Sequence, residues 1–177
     1  MIGRVLADQG EAAAALSSIS QGLQRLDRIG QEVYRSYMQA ILAEAQSALG
    51  DTATAIVTME DALRTAQAQE ERWALAAHQC LLGDLYNRLT PAKEELAERM
   101  LLSAIVTART QRARSLELRA ATSLARLWAE RGERHRAHSL LAPIFGWFTE
   151  GFDTPDLQEA RMLLNELASD PCTGPQF

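Results

Sequence analysis

Apolar residues recur every three to four positions along most of this chain. The recurrence breaks at Gly10, Gly50, Thr90-Pro91 and Gly132, at intervals of roughly 40 residues. Segments of that period predict amphipathic helices at about 1–9, 12–28, 31–49, 52–69, 71–89, 92–112, 115–131, 133–148 and 155–168, nine helices and no strand. The last opens at Thr154-Pro155-Asp156, where a hydroxyl residue caps, proline suits the first helical position, and a carboxylate meets the positive helix end. Its stripe of Leu157, Ala160, Leu164 and Leu167 predicts a capping helix over the last hairpin. Pro143 cannot donate a backbone hydrogen bond, so it is expected to kink or shorten the helix before it.

The breaks repeat with the same residue types at the same offsets. Leu82-Gly83-x-x-Tyr86 precedes Thr90, Leu124-Ala125-x-x-Trp128 precedes Gly132, and Leu42-Ala43 precedes Gly50. The following helices answer with Ala55, Met59 and Ala62, with Ala137, Leu141 and Ile144, and, after a two-residue insertion, with Ala97, Leu101 and Ala104. Small residues let paired helices approach and large apolar ones fill the groove between them. This pattern resembles tetratricopeptide repeats, which place Leu-Gly-x-x-Tyr on a first helix and Ala-x-x-x-Phe-x-x-Ala on a second. It departs from them at the Trp position, held here by Gln39, Gln79 and Ala121, and in lacking the terminal Pro. The repeat is also longer than the usual period of about 34 residues, which predicts roughly one extra turn per helix. The resemblance implies an all-α, tetratricopeptide-like α-α superhelix of about four helical hairpins plus a C-terminal capping helix.

Residues 1–168 are expected to form a single helical-repeat domain and 169–177, rich in Pro, Gly and polar residues, a disordered tail. Ile2-Gly3-x-x-Leu6 occupies the first-helix offsets ahead of Gly10, which puts Met1 in mid-helix. The expectation is either a piece of a longer protein or a free-standing product whose first repeat is truncated. In the second case Ile2 and Leu6 lack a cover that a homodimer would supply.

At 177 residues and 47% hydrophobic content, the chain has enough apolar surface for a sizeable core. No run of 18 apolar residues occurs and the start lacks a signal-peptide layout, so a cytoplasmic protein that does not engage membranes is expected. Cys80 and Cys172 have no metal-type spacing and are read as free thiols.

The net charge of −5 is unevenly spread. Residues 1–98 hold 8 basic and 14 acidic groups, 99–136 hold 9 and 3, and 137–177 hold 1 and 6. The middle stretch is an arginine belt of Arg99, Arg109, Arg112, Arg114, Arg119, Arg126, Arg131, Arg134 and Arg136. A salt-bridged helix surface is its plainest reading, and an acidic partner the functional one. Nucleic-acid binding is not expected, since the chain is acidic overall and carries no recognised motif.

Ser115-Leu-Glu-Leu-Arg-Ala-Ala-Thr-Ser-Leu-Ala-Arg-Leu-Trp128 and Leu141-Ala-Pro-Ile-Phe-Gly-Trp-Phe-Thr-Glu-Gly-Phe-Asp-Thr-Pro-Asp-Leu-Gln-Glu-Ala160 carry a more specific likeness. They resemble the C-terminal tail of bacterial signalling proteins that join a cyclase-like or winged-helix domain to an ATPase and a long helical-repeat region. The resemblance implies a sensor or interaction tail without the catalytic parts. No phosphate-binding loop is present and the only lysine is Lys93. No enzymatic activity and no cofactor are expected.

His135-x-x-His138 with Glu133 has ligand spacing but no third ligand in view, so no metal site is expected, and the Cys80 and His78 pair points to different helix faces. Phe145, Trp147, Phe148 and Phe152 are expected to pack the last hairpin. The functional surface follows from the architecture, in which the first helices of the hairpins line a concave groove. Three offsets point into it: Tyr37, Ala77 and Arg119; Ala40, Cys80 and Thr122; and Glu44, Asp84 and Arg126, with Asn87 one turn on. Such a groove runs from acidic to basic and suits a protein or peptide segment bearing both charges. The alternatives are a small-molecule effector sensor coupled to an ATPase and a self-associating repeat protein.

Overall fold

The computed structural model describes residues 10–30, 33–89 and 93–169. The expected helix at 1–9 with Ile2 and Leu6, the Thr90-Pro91 break, and the expected tail beyond Ser169 with Cys172 lie outside the described residues. Within them are α1 (Ala12–Ile29), α2 (Arg35–Ala48), α3 (Thr52–Ala68), α4 (Arg72–Leu89), α5 (Glu94–Gln111), α6 (Arg114–Glu130), α7 (Arg134–Phe145) and α8 (Pro155–Ala168), and no strand.

Four turns share one hydrogen-bond pattern. Gly50 N–H donates to the Ser47 carbonyl at 3.0 Å and Asp51 N–H to that of Gln46 at 3.0 Å; Gly132 and Glu133 repeat this onto Ala129 at 3.0 Å and Trp128 at 2.8 Å. This pair of bonds satisfies the last carbonyls of a helix and requires a left-handed residue after it. Gly50 (φ 88°) and Gly132 (φ 82°) meet that requirement without steric cost. At the two intervening turns Glu70 (φ 54°) and Arg112 (φ 56°) adopt the same geometry without being glycine. The sequence pattern shows the first pair and hides the second.

The chain divides into two compact units, Met1–Met100 and Leu101–Phe177. In the first, Ala15 and Ile19 of α1 pack on Ile41 and Ala45 of α2, with Leu16, Leu23, Met38 and Leu42 around them. Gly22 allows this approach: a Cβ there would lie 3.2 Å from the Met38 methyl. The α2–α3 and α3–α4 contacts are made through Ala43, Ala55, Met59, Ala62 and Ala66, all with no exposed surface. Burial of the one large side chain among them, Met59, contributes about 1.5–3 kcal/mol, and the alanines let the helices approach.

In the second unit α8 packs on both α6 and α7. That double contact widens its buried face to Leu157, Ala160, Leu163 and Leu167, so Leu163 takes the core position expected of Leu164. Pro155 opens the helix as expected, but the Thr154 hydroxyl does not cap it; it donates to the Gly151 carbonyl at 2.8 Å instead. Pro143 lies inside α7, which ends at Phe145, short of the expected 148.

Candidate functional site

In the first unit α2 and α4 are the first helices of successive hairpins and run in the same direction, because α3 returns the chain between them. Their neighbouring faces read from N- to C-terminal end as aromatic, then small, then acidic. At the aromatic end Tyr34, Tyr37 and Trp73 are 60%, 38% and 53% exposed. The Trp73 ring meets Tyr34 edge-on at 6.2 Å between centroids and Tyr37 at 6.2 Å in a tilted contact. Tyr34 is held at φ 64°, a left-handed conformation that is costly for a bulky residue. One or two turns on come Ala40 and Cys80, both buried, and Ala77, half-buried, and beyond them Glu44, Asp84 and Asn87 are half-buried. At 1.5 Å per residue, Tyr37 and Glu44 are about 10 Å apart along α2, and Trp73 and Asp84 about 16 Å apart along α4.

The structure brings Tyr37, Glu44, Cys80, Asp84 and Asn87 onto one pair of helices and corrects two of the groove assignments. Cys80 is 3% exposed, too enclosed to offer its thiol to a partner. Thr122 is 4% exposed, and its hydroxyl is spent on the Leu118 carbonyl at 2.9 Å. Trp73 and Tyr34 were not among the expected groove residues. Extending the groove stripe one turn back from Ala77 leads to Trp73, so the signal was present in the helical spacing.

Arg119 and Arg126, on α6 of the second unit, are half-exposed and bound to the capping helix. Arg119 pairs with Asp156 at 2.9 Å and Arg126 with Glu159 at 2.8 Å. Four more arginines of the belt in this unit are similarly engaged. Glu117, 2% exposed, accepts from Arg109 Nε at 2.6 Å and Arg114 Nη1 at 2.7 Å, and Arg114 lies 5.1 Å over the Trp147 ring. Arg136 pairs with Glu133 at 2.6 Å and stacks 3.7 Å over Trp128, while Arg134 donates to the Glu166 carbonyl. Much of the belt's charge is therefore met within the unit.

A buried polar seam joins α2, α3 and α4. The Ser36 hydroxyl donates to Glu71, Gln39 donates to Asp61, and His78 is 2% exposed and hydrogen-bonded to the Ser36 backbone. Burial pushes the His78 imidazole down to about 4, against the opposing pull of Glu71 and of the Ser36 bond, so the ring is neutral at pH 7. Tyr86 donates to Glu60 at 2.5 Å, and burial together with that carboxylate raises its hydroxyl to about 12. Neither group is arranged for chemistry: His78 lies inside the helix contact and Tyr86 is 8% exposed.

His135 and His138 are both exposed, and no group of three or more metal-ligating side chains occurs among the described residues. Phe145 and Phe152 pack at 5.8 Å and Trp147 and Phe148 at 5.3 Å, with Trp147 still 57% exposed. A pocket of about 250 Å³ lies on α8 between Arg126, Pro155, Glu159, Met162 and Glu166.

No protein-family model matches the chain, and no curated protein matches it. Solved structures do. The chain is similar to a Podosopora anserina protein described as a kinesin light chain with nearly identical TPR-like repeats, at 20% identity and a TM-score of 0.72, covering 94% of this chain and 82% of that one. A single-substitution variant of that protein matches at 20% identity and a TM-score of 0.69, covering 94% and 90%. With its all-helical described residues and matching repeat offsets, the chain has the tetratricopeptide-like repeat fold.

Proposed function

We propose that this chain is a non-catalytic protein-interaction module that holds a peptide segment of a partner against the α2 and α4 face of its first unit. The observation that carries this reading is the exposed trio Tyr34, Tyr37 and Trp73. Three aromatic rings at the N-terminal ends of adjacent helices, each more than a third exposed, leave much apolar surface uncovered. Aromatic residues of this kind dominate the energetics of protein interfaces. The small residues beyond them let a partner backbone approach α2 and α4, and the carboxylates at the far end offer acceptors.

Phage-displayed random peptides selected on the wild-type chain test the reading. Recovered peptides should bind the Trp73→Ala variant at least about ten-fold more weakly. Equal binding to the variant, or recovery of no peptide, would remove the assignment. Nucleic acid and membranes are not proposed as partners, because much of the arginine belt in the second unit is met by its own carboxylates and no helix among the described residues is long and apolar enough to cross a membrane.

The likeness of residues 115–168 to signalling-protein tails supports a wider role: a cytoplasmic regulatory region of an ATPase-containing or cyclase-like protein. An antibody against this region should then detect a native band far above 19.5 kDa in the source cell. A band near 19.5 kDa would leave a free-standing repeat protein and make partner capture or dimerisation the main question.

A further inference from the structure

The distribution of charge says what kind of segment this face takes. The first unit, residues 1–100, holds the 8 basic and 14 acidic groups of residues 1–98 together with Arg99, hence 9 basic and 14 acidic, a net −5. The second unit holds the remaining 18 − 9 = 9 basic and 23 − 14 = 9 acidic groups, a net of zero. All the net charge of the chain therefore belongs to the unit that carries the aromatic trio. A potential of that sign draws cationic ligands and disfavours anionic ones.

The face is polarised in the same sense. Glu44 and Asp84 stand near the C-terminal ends of α2 and α4, where the aligned peptide dipoles add partial negative charge. The last turn of α2 has no basic residue, and that of α4 has one, Arg88, which donates to the Ser47 hydroxyl of α2 at 3.3 Å and offsets part of the charge of the two carboxylates. Glu44 and Asp84 already engage neighbours within the chain. An ionised carboxylate accepts at about four lone-pair sites, so such engagement leaves room for a donor from a ligand. At the other end, the faces of Trp73 and the two tyrosines suit an apolar side chain or the flat guanidinium of an arginine.

Resting on the interaction reading above, we infer that the partner segment is basic: it seats one apolar or arginine side chain on Tyr34, Tyr37 and Trp73 and places a lysine or arginine about 10–16 Å further along, at Glu44 and Asp84. In a helical ligand that distance is roughly 7–11 residues; in an extended one it is about 3–5. A matching acidic segment is rejected by the same charges.

The peptides recovered by phage selection on the wild-type chain are the probe. They should share an anchor side chain and a Lys or Arg at one of those spacings. Replacing that Lys or Arg with Glu should weaken binding at least about ten-fold, and the Glu44→Gln, Asp84→Asn double variant should lose a similar factor together with most of the salt dependence. Half-buried positions and isosteric replacements make this variant a mild one, and far-UV circular dichroism checks its helix content. Peptides that need Trp73 but are neutral or acidic, or that bind the double variant unchanged, would overturn the charge rule while leaving the interaction face in place. Peptides indifferent to Trp73 would overturn both.

Discussion

Replacing His78 with Asn should remove a pH dependence of stability that the wild-type chain owes to one enclosed imidazole. The ring is buried between α4 and α2 and held at about 4, against an ordinary value of 6.5. Burial disfavours the imidazolium, and neither the negative charge of Glu71 nor the bond to Ser36 compensates for it. The unfolded chain takes up a proton here as pH falls below 6.5, whereas the folded chain does so only near 4. Between those values the unfolded state binds more protons, so stability falls as pH is lowered, and below about 4 this residue causes no further loss. At 1.36 kcal/mol per ten-fold change in proton affinity, the full loss is about 3 kcal/mol. Asparagine has no proton to gain and retains an amide donor in place of the ring N–H. Urea unfolding followed by circular dichroism, near pH 7.5 and near pH 4, gives four stabilities. The wild type should lose about 3 kcal/mol more than the variant between the two conditions. Equal losses would mean that the ring is protonated in the folded chain or reached by solvent, and the buried seam would be misassigned.

The left-handed turns give a second pair of outcomes. Gly50→Ala and Gly132→Ala should each cost about 1 kcal/mol, purely through the backbone because nothing lies within 4 Å of a Cβ at either position. Glu70→Gly and Arg112→Gly should instead stabilise by up to about 1 kcal/mol, and denaturant midpoints read both signs. Glu117→Gln should destabilise the second unit by about 1–3 kcal/mol, less than the full loss of a buried pair because Arg109 and Arg114 are half-exposed and can rehydrate. Met59→Ala should cost about 2–5 kcal/mol whereas Trp73→Ala should cost about 1 kcal/mol, since the first side chain is fully buried and the second is half-exposed and rests on Tyr34 and Tyr37.

The helices were legible because their buried stripes are long and regular. Ala55, Met59, Ala62, Leu82, Leu124, Ala125 and Leu141 lie in the core where their spacing put them. Local hydrogen-bond choices were harder to read. Glu70 and Arg112 adopt a conformation that composition does not announce, and Thr154 bonds back to Gly151 rather than forward to its helix. The groove was legible as a pair of helix faces and less so as a set of contacts. Spacing gives direction but not enclosure, so Cys80 and Thr122 could not be told from exposed positions. Nor does spacing show which acids an arginine meets: Arg119 and Arg126 find theirs some thirty residues on, at Asp156 and Glu159. Trp73 belongs to the same stripe as Ala77, Cys80 and Asp84, and only its exposure marks it as a contact residue rather than core.

The most direct test of the central claim is site-specific photocrosslinking in the source cell, with p-benzoylphenylalanine placed at Trp73 or, for comparison, at Val57 of α3, which is 63% exposed. A discrete adduct from position 73 and none from position 57 is the predicted result. Adducts of equal yield from both positions, or from position 57 alone, would contradict the assignment of the α2 and α4 face as the surface where this chain meets its partner.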